Sequence, residues 1–164
     1  VIDEILNRQY GAALEMLERA VMACPEEFWA SEEYPNRFWH VAYHAAFFTH
    51  LYLHPSLDEF RPWAKCRQHY QFLGGLPWAP EQRPVIDTPY TKPELLELIE
   101  FCRGEIAAKL PAMDFDARSG FPWLPFTRLE VQIYSIRHTQ HHVGQLVDRL
   151  RTARGTASAW VVGK

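Results

Sequence analysis

The chain has 164 residues, 48% hydrophobic and 23% charged, which suits one domain spanning 1–164 with a sizeable core. Its formal net charge of −3, with 17 basic residues against 20 acidic ones and no basic run longer than two, argues against a nucleic-acid partner, whose phosphates need a basic surface. No stretch approaches the roughly 18–20 apolar residues of a spanning helix, and Val1-Ile2-Asp3-Glu4 lacks the basic flank and apolar run of a signal peptide, so neither a membrane partner nor export is expected.

The first apolar period runs from about Val1 to Ala23. Ile2, Ile5, Leu6, Tyr10, Ala13, Leu14, Leu17, Ala20 and Val21 recur at spacings of three and four, as one face of a helix requires. Pro25 ends it. A second helix is expected from about Asn36, as N-cap, to Leu53. Its body, Phe38 to Phe48, is apolar nearly all round, the pattern of a helix enclosed by others.

The stretch 54–90 follows, with six prolines (Pro55, Pro62, Pro77, Pro80, Pro84 and Pro89). It is too long for a tight connection between antiparallel neighbours and suits the long crossover of some four-helix bundles. Short helices are expected within it at Leu57–Lys65 and His69–Leu73, and a loop this long is expected to cover a site. Thr91-Lys92-Pro93-Glu94 and Thr127-Arg128-Leu129-Glu130 then carry the capping-box pattern and start the third and fourth helices. The third runs to about Leu110, before Pro111. The fourth runs from Leu129 to Ala153, with Gly155 just beyond. The fold class read from these segments is all-α, a four-helix bundle with a long crossover between its second and third helices.

Cys24, Cys66 and Cys102 are an odd, widely spaced set without a CxxC pair, which reads as reduced thiols in a cytoplasmic protein. The eight histidines are more informative. In the fourth helix the row through His138 reads Tyr134, His138, His142, Leu146, Leu150, so His138 and His142 should face the interior. The row through His141 is Arg137, His141, Gln145, Arg149, so His141 should face outward. Two imidazoles at i, i+4 grip a first-row metal from one helix. The second helix offers a partner in His40 or His44, between which spacing does not choose. The alternative is a set of core histidines without metal. His50, His54 and His69 read as exposed or loop-packing residues.

Other metal motifs fail. A zincin helix needs Glu where Thr139 stands, and no Glu-x-x-His of the di-iron kind is present. Heme remains possible in a bundle, although three clustered histidines exceed its need for axial ligands.

His142-Val143-Gly144-Gln145-Leu146, preceded by His138, resembles the C-terminal signature of the DinB/YfiT-like metalloenzyme superfamily. Val41 to Leu53, with His44 at the ligand position, resembles that superfamily's second-helix signature. Helix order, crossover and length agree along essentially the whole chain. The resemblance implies an up-down-down-up four-helix bundle, often a homodimer, that binds a divalent metal, nickel or zinc, on His44, His138 and His142. It also implies, for some members, a low-molecular-weight thiol that is conjugated to an electrophile or used in isomerisation. The favoured expectation is therefore a metal-dependent enzyme acting on a small molecule, a thiol-dependent S-transferase or a hydrolase, with an open coordination position above which Trp63, Trp78 and Trp123 wall a pocket. No general base is assigned. The alternatives are a non-catalytic metal-binding or dimerising bundle, and a bundle without metal.

Overall fold

Apolar residues recurring every three to four positions wind this chain into helices wherever proline does not interrupt them. The computed structural model describes residues 1–155 and 159–163 and is all-α. Its elements are α1 (Ile2–Ala23), α2 (Glu26–Trp29), α3 (Phe38–Leu51), α4 (Lys92–Lys109), a 3₁₀ turn (Leu110–Ala112) and α5 (Arg128–Arg154). Among the described residues there is no β-strand, only isolated bridges such as Ser56 with Gly120. None of the helices is long and apolar enough to cross a membrane among the described residues.

The two capping boxes form as expected. The hydroxyl oxygens of Thr91 and Thr127 accept from the backbone of Glu94 and Glu130, whose carboxylates accept the threonine N–H groups in return. Gly155 ends α5 in the left-handed region, at φ 63°, with its N–H donated to the Arg151 carbonyl, a conformation that glycine adopts without the Cβ penalty.

The start of α3 differs from expectation. Arg37, extended at φ −62° and ψ 156°, is its N-cap and supplies no side-chain bond, so Asn36 does not cap it. The helix ends at Leu51, two residues early. Two further corrections concern short elements. Glu26–Trp29 is a helical turn that the periodicity does not announce. Leu57–Lys65 and His69–Leu73 are turns and bends rather than helices, because their aromatic residues are held by tertiary contacts instead of a repeating local face.

The core lies between α1, α3, α4 and α5, with α1 and α3 each packed on both α4 and α5. Side-chain pairs give the senses. Tyr10 meets Gln132 and Met16 meets Gln140, so α1 and α5 run the same way. Ala46 meets Cys102 and His50 meets Glu105, so α3 and α4 also run the same way. Glu18 with Arg103 and Cys24 with Lys92 set α1 against α4 in opposite senses, and His44 with His138 and Tyr52 with Gln132 do the same for α3 and α5. Among the described residues the three cysteines form no disulfide.

The segment between α3 and α4 is anchored by buried aromatics. Tyr90 stacks on Tyr43 with ring centroids 4.6 Å apart, accepts Trp29 Nε1–H on its carbonyl at 2.7 Å and donates its hydroxyl to the Lys65 carbonyl at 2.7 Å. Tyr70 receives the backbone N–H groups of Asp87 and Thr88 on its hydroxyl oxygen. This pins the crossover along α3, the helix that carries His40 and His44.

Candidate metal centre

The i, i+4 spacing of His138 and His142 on α5 sets one imidazole above the other on the row that faces α3. His44 comes from α3, which runs in the opposite sense. His44 Nε2 lies 3.0 Å from His138 Nε2, and His142 Nε2 lies 3.2 Å from the same atom. One donor atom from each of the three residues therefore falls within a single small sphere, a group able to hold a metal ion. Four-coordinate zinc with Zn–N bonds of about 2.0–2.1 Å has ligand nitrogens roughly 3.3 Å apart. His138 Nε2 stands at nearly that separation from both of its neighbours.

The outward nitrogens explain the orientation. His44 Nδ1 donates to the Gln71 backbone carbonyl at 2.5 Å. His142 Nδ1 donates to Gln145 Oε1 at 2.9 Å. Fixing the proton on Nδ1 leaves Nε2 with a lone pair, the arrangement that orients histidine toward a metal. His138 Nδ1 is buried without a hydrogen-bond partner among the described residues. Its ring is placed instead by packing between Tyr134, stacked at 6.2 Å, and the edge of Phe48 at 5.5 Å.

Electrostatics keep all three rings neutral. Burial pushes His44 down to about 3 against the Gln71 hydrogen bond, and the other histidines add to the shift. Burial, with His142 and His141 nearby, pushes His138 down to about 4. His142 is also lowered by burial, partly offset by its bond to Gln145. With the His44 and His142 protons on Nδ1, their two Nε2 lone pairs face His138 Nε2 at 3.0 and 3.2 Å, and the single proton of a neutral His138 ring can satisfy only one of them. A shared cation resolves this, so the donor set fits a first-row divalent metal.

His141 lies on the exposed face of α5, where it meets Gln145 at 3.2 Å and sets its ring edge-to-face on His142 at 5.1 Å, outside the three-histidine group. His40 is buried but turns its Nε2 to the Tyr70 carbonyl at 2.7 Å, outside the three-histidine group. The carbonyls of Tyr70 and Gln71 thus hold His40 and His44 side by side. They follow directly on His69, whose φ of 65° is the one left-handed conformation at a non-glycine position among the described residues, and which packs in the loop between Phe72 and Trp78.

The tryptophans do not wall one pocket. Trp63 is buried against Tyr90. Trp123 donates Nε1–H to the Tyr52 hydroxyl at 3.3 Å, and Tyr52 packs on Phe48 and Tyr134, so this tryptophan ends an aromatic row that begins at His138. Trp78 touches Phe72, the neighbour of Gln71.

Two features escape the sequence reading. The Gln71 carbonyl leaves no side-chain signature. His50 is buried within α3 at 1% exposure, neither exposed nor in a loop, whereas His54, at 5%, packs just past the end of α3; with Glu105 they form a second group of donors between the end of α3 and α4. Their own i, i+4 spacing was the available signal. Burial, with the neighbouring His54, holds His50 down at about 4 against the raising effect of Glu105. Comparison of the chain with known protein families, with curated proteins and with solved structures finds no match.

Proposed function

We propose that this chain is a divalent-metal-dependent enzyme of the DinB/YfiT-like superfamily. In this reading it is an up-down-down-up four-helix bundle whose His44, His138 and His142 hold nickel or zinc. The observation that carries it is the convergence of three neutral Nε2 donors at 3.0 and 3.2 Å, two of them with Nδ1 already committed to an acceptor. The same-sense pairs α1–α5 and α3–α4, set against each other, support the bundle topology.

Three neutral imidazoles would leave a divalent metal its full charge, and the chemistry it would supply is a lowered pKa for a small-molecule thiol or water. His44 and His138 are each partly exposed, which supports access by a small molecule. The chain's own contribution is to fix the rings: Gln71 and Gln145 set the tautomers, and Phe48 and Tyr134 confine His138. The reaction proposed is S-transfer from a low-molecular-weight thiol, or hydrolysis.

A specific observation favours a second reading, a dimerising bundle. Ile2 and Ile5 of α1 and Ile133 of α5 are exposed and, with Leu129 and Ile136, line an apolar groove of about 340 Å³.

The test is cobalt-substituted, tag-free protein compared with the His142→Ala variant. A small thiol should change the visible absorption of the wild type through a new sulfur–metal bond and leave the variant's spectrum unchanged. Sensitivity to azide but not to thiol selects hydrolysis. No response to thiol, azide or cyanide means a closed site and overturns the catalytic reading.

A further inference from the structure

From His44 to His50 the helix turns by about 240° once the full turn is subtracted. That rotation moves His50 off the α5 seam and onto the α4 seam, where it meets Glu105. We infer that His50, His54 and Glu105 form a second divalent-cation site, of the two-imidazole, one-carboxylate type, separate from the three-histidine centre.

One donor atom from each of these residues lies within 4.8 Å of the others. His50 is 1% exposed, and its Nε2 is buried with no hydrogen-bond partner, although Glu105 Oε2 lies 3.4 Å away. A buried ring nitrogen left in that state is a standing cost to the fold, which a ligand-filled site removes. His54 Nδ1 donates to the His50 carbonyl at 3.1 Å, so its proton is placed on Nδ1 and Nε2 is left as the donor. Phe60, with its ring 5.1 Å from both histidines, and Phe101, 4.8 Å from His50, give the group an apolar sleeve.

Lys109 is the remaining charge. Its Nζ stands 3.4 Å from the same Glu105 oxygen that faces His50. It approaches from α4 itself, one turn along, and is half-exposed. It pairs with the Glu105 carboxylate. The His50 and Glu105 donors, 3.4 Å apart, already stand near the roughly 3.3 Å edge of tetrahedral zinc. His54 lies just past the end of α3, at the start of the crossover. The site therefore fastens the last turn of α3 and the first residues of the crossover to α4. Its role is to hold the frame rather than to perform chemistry, and its chemistry suits zinc or another borderline first-row cation.

Zinc is the probe. Tag-free protein is stripped with chelator, reloaded with zinc, desalted and analysed for metal, with circular dichroism and thermal melting in parallel. The variant His44→Ala/His142→Ala, which removes the three-histidine centre, should keep one equivalent of zinc and melt higher with zinc than without. Adding Glu105→Gln should remove that equivalent and abolish the zinc-dependent rise. In the wild-type background Glu105→Gln alone should lower the zinc content by one equivalent, so the proposal stays testable if the double variant does not fold. Wild type with a single equivalent, lost on Glu105→Gln, would support this site and count against the first. Zinc content unchanged by Glu105→Gln, or a folded double variant that holds none, overturns the proposal and leaves a neutral His50 beside the Glu105 carboxylate with no metal role.

Discussion

His44 on α3 and His138 on α5 are 94 residues apart in sequence, and their Nε2 atoms are 3.0 Å apart in space. His142, the third member of the group, brings its Nε2 to 3.2 Å from that of His138. At this level the two helices, running in opposite senses, meet through imidazole nitrogens, with the Phe48 ring packed on His138 beside them.

Alanine at 44, 138 or 142 should each remove one equivalent of metal from tag-free protein, measured by elemental analysis. His141→Ala should leave the content unchanged, because His141 sits on the exposed row and its ring nitrogen meets Gln145 rather than the donor group. Loss with the 141 variant and retention with the 142 variant would reverse the face assignment of α5.

Gln145 is exposed and orients His142 through its Oε1 at 2.9 Å. Gln145→Ala should fold normally and weaken metal affinity by about 10–100-fold, the usual effect of losing an orienting partner. Competition with a chelator of known affinity measures this. Unchanged affinity would show that packing alone holds the His142 ring.

In metal-free protein, stability should fall as pH drops below about 6.5. Burial lowers the pKa of His40, His44, His50, His54, His138 and His142 from the ordinary 6.5, to about 3 for His44 and about 4 for His50 and His138. Between those limits the unfolded chain binds protons that the native chain refuses. Stability is therefore complete above 6.5 and is lost as pH falls toward 4, at about 1.4 kcal/mol per pH unit for each histidine fully protonated only when unfolded. Urea unfolding at pH 7.5, 6.0 and 5.0 should show the decline. A flat profile would mean that these rings are not sequestered.

Gly120 holds the loop before α5 against the start of the crossover, with its N–H on the Pro55 carbonyl at 2.9 Å. A Cβ there would stand 2.6 Å from Ser56 Cβ and 2.8 Å from the Pro55 oxygen. Gly120→Ala should destabilise by roughly 1–3 kcal/mol, the range for overpacking a close contact. A thermal melt indistinguishable from wild type would show that the two segments separate without cost.

Thr127→Ala should cost about 1 kcal/mol by removing the cap that its side chain supplies to α5. Thr127→Ser, which keeps the hydroxyl oxygen, should recover most of it in the same urea titration.

The sequence by itself determined the long helices, because each is encoded by local periodicity and, for α4 and α5, by a capping box whose bonds lie within four residues. It also determined which side of α5 is apolar, and so set His138 and His142 inward and His141 outward. Local signals end there. Short-range preference for helix at 57–65 and 69–73 gave way to contacts with Tyr43, Tyr90 and α3, which no periodic pattern records. Spacing left His40 and His44 equivalent. The tertiary structure separated them, because the Tyr70 and Gln71 carbonyls, folded back from the crossover, each take one ring. The burial of His50 and His54 was likewise decided only when α4 packed against α3 and brought Glu105 and Phe101 to them. A helical face is a property of consecutive residues. A donor set drawn from two helices and a loop exists only once their packing fixes where each ring nitrogen points.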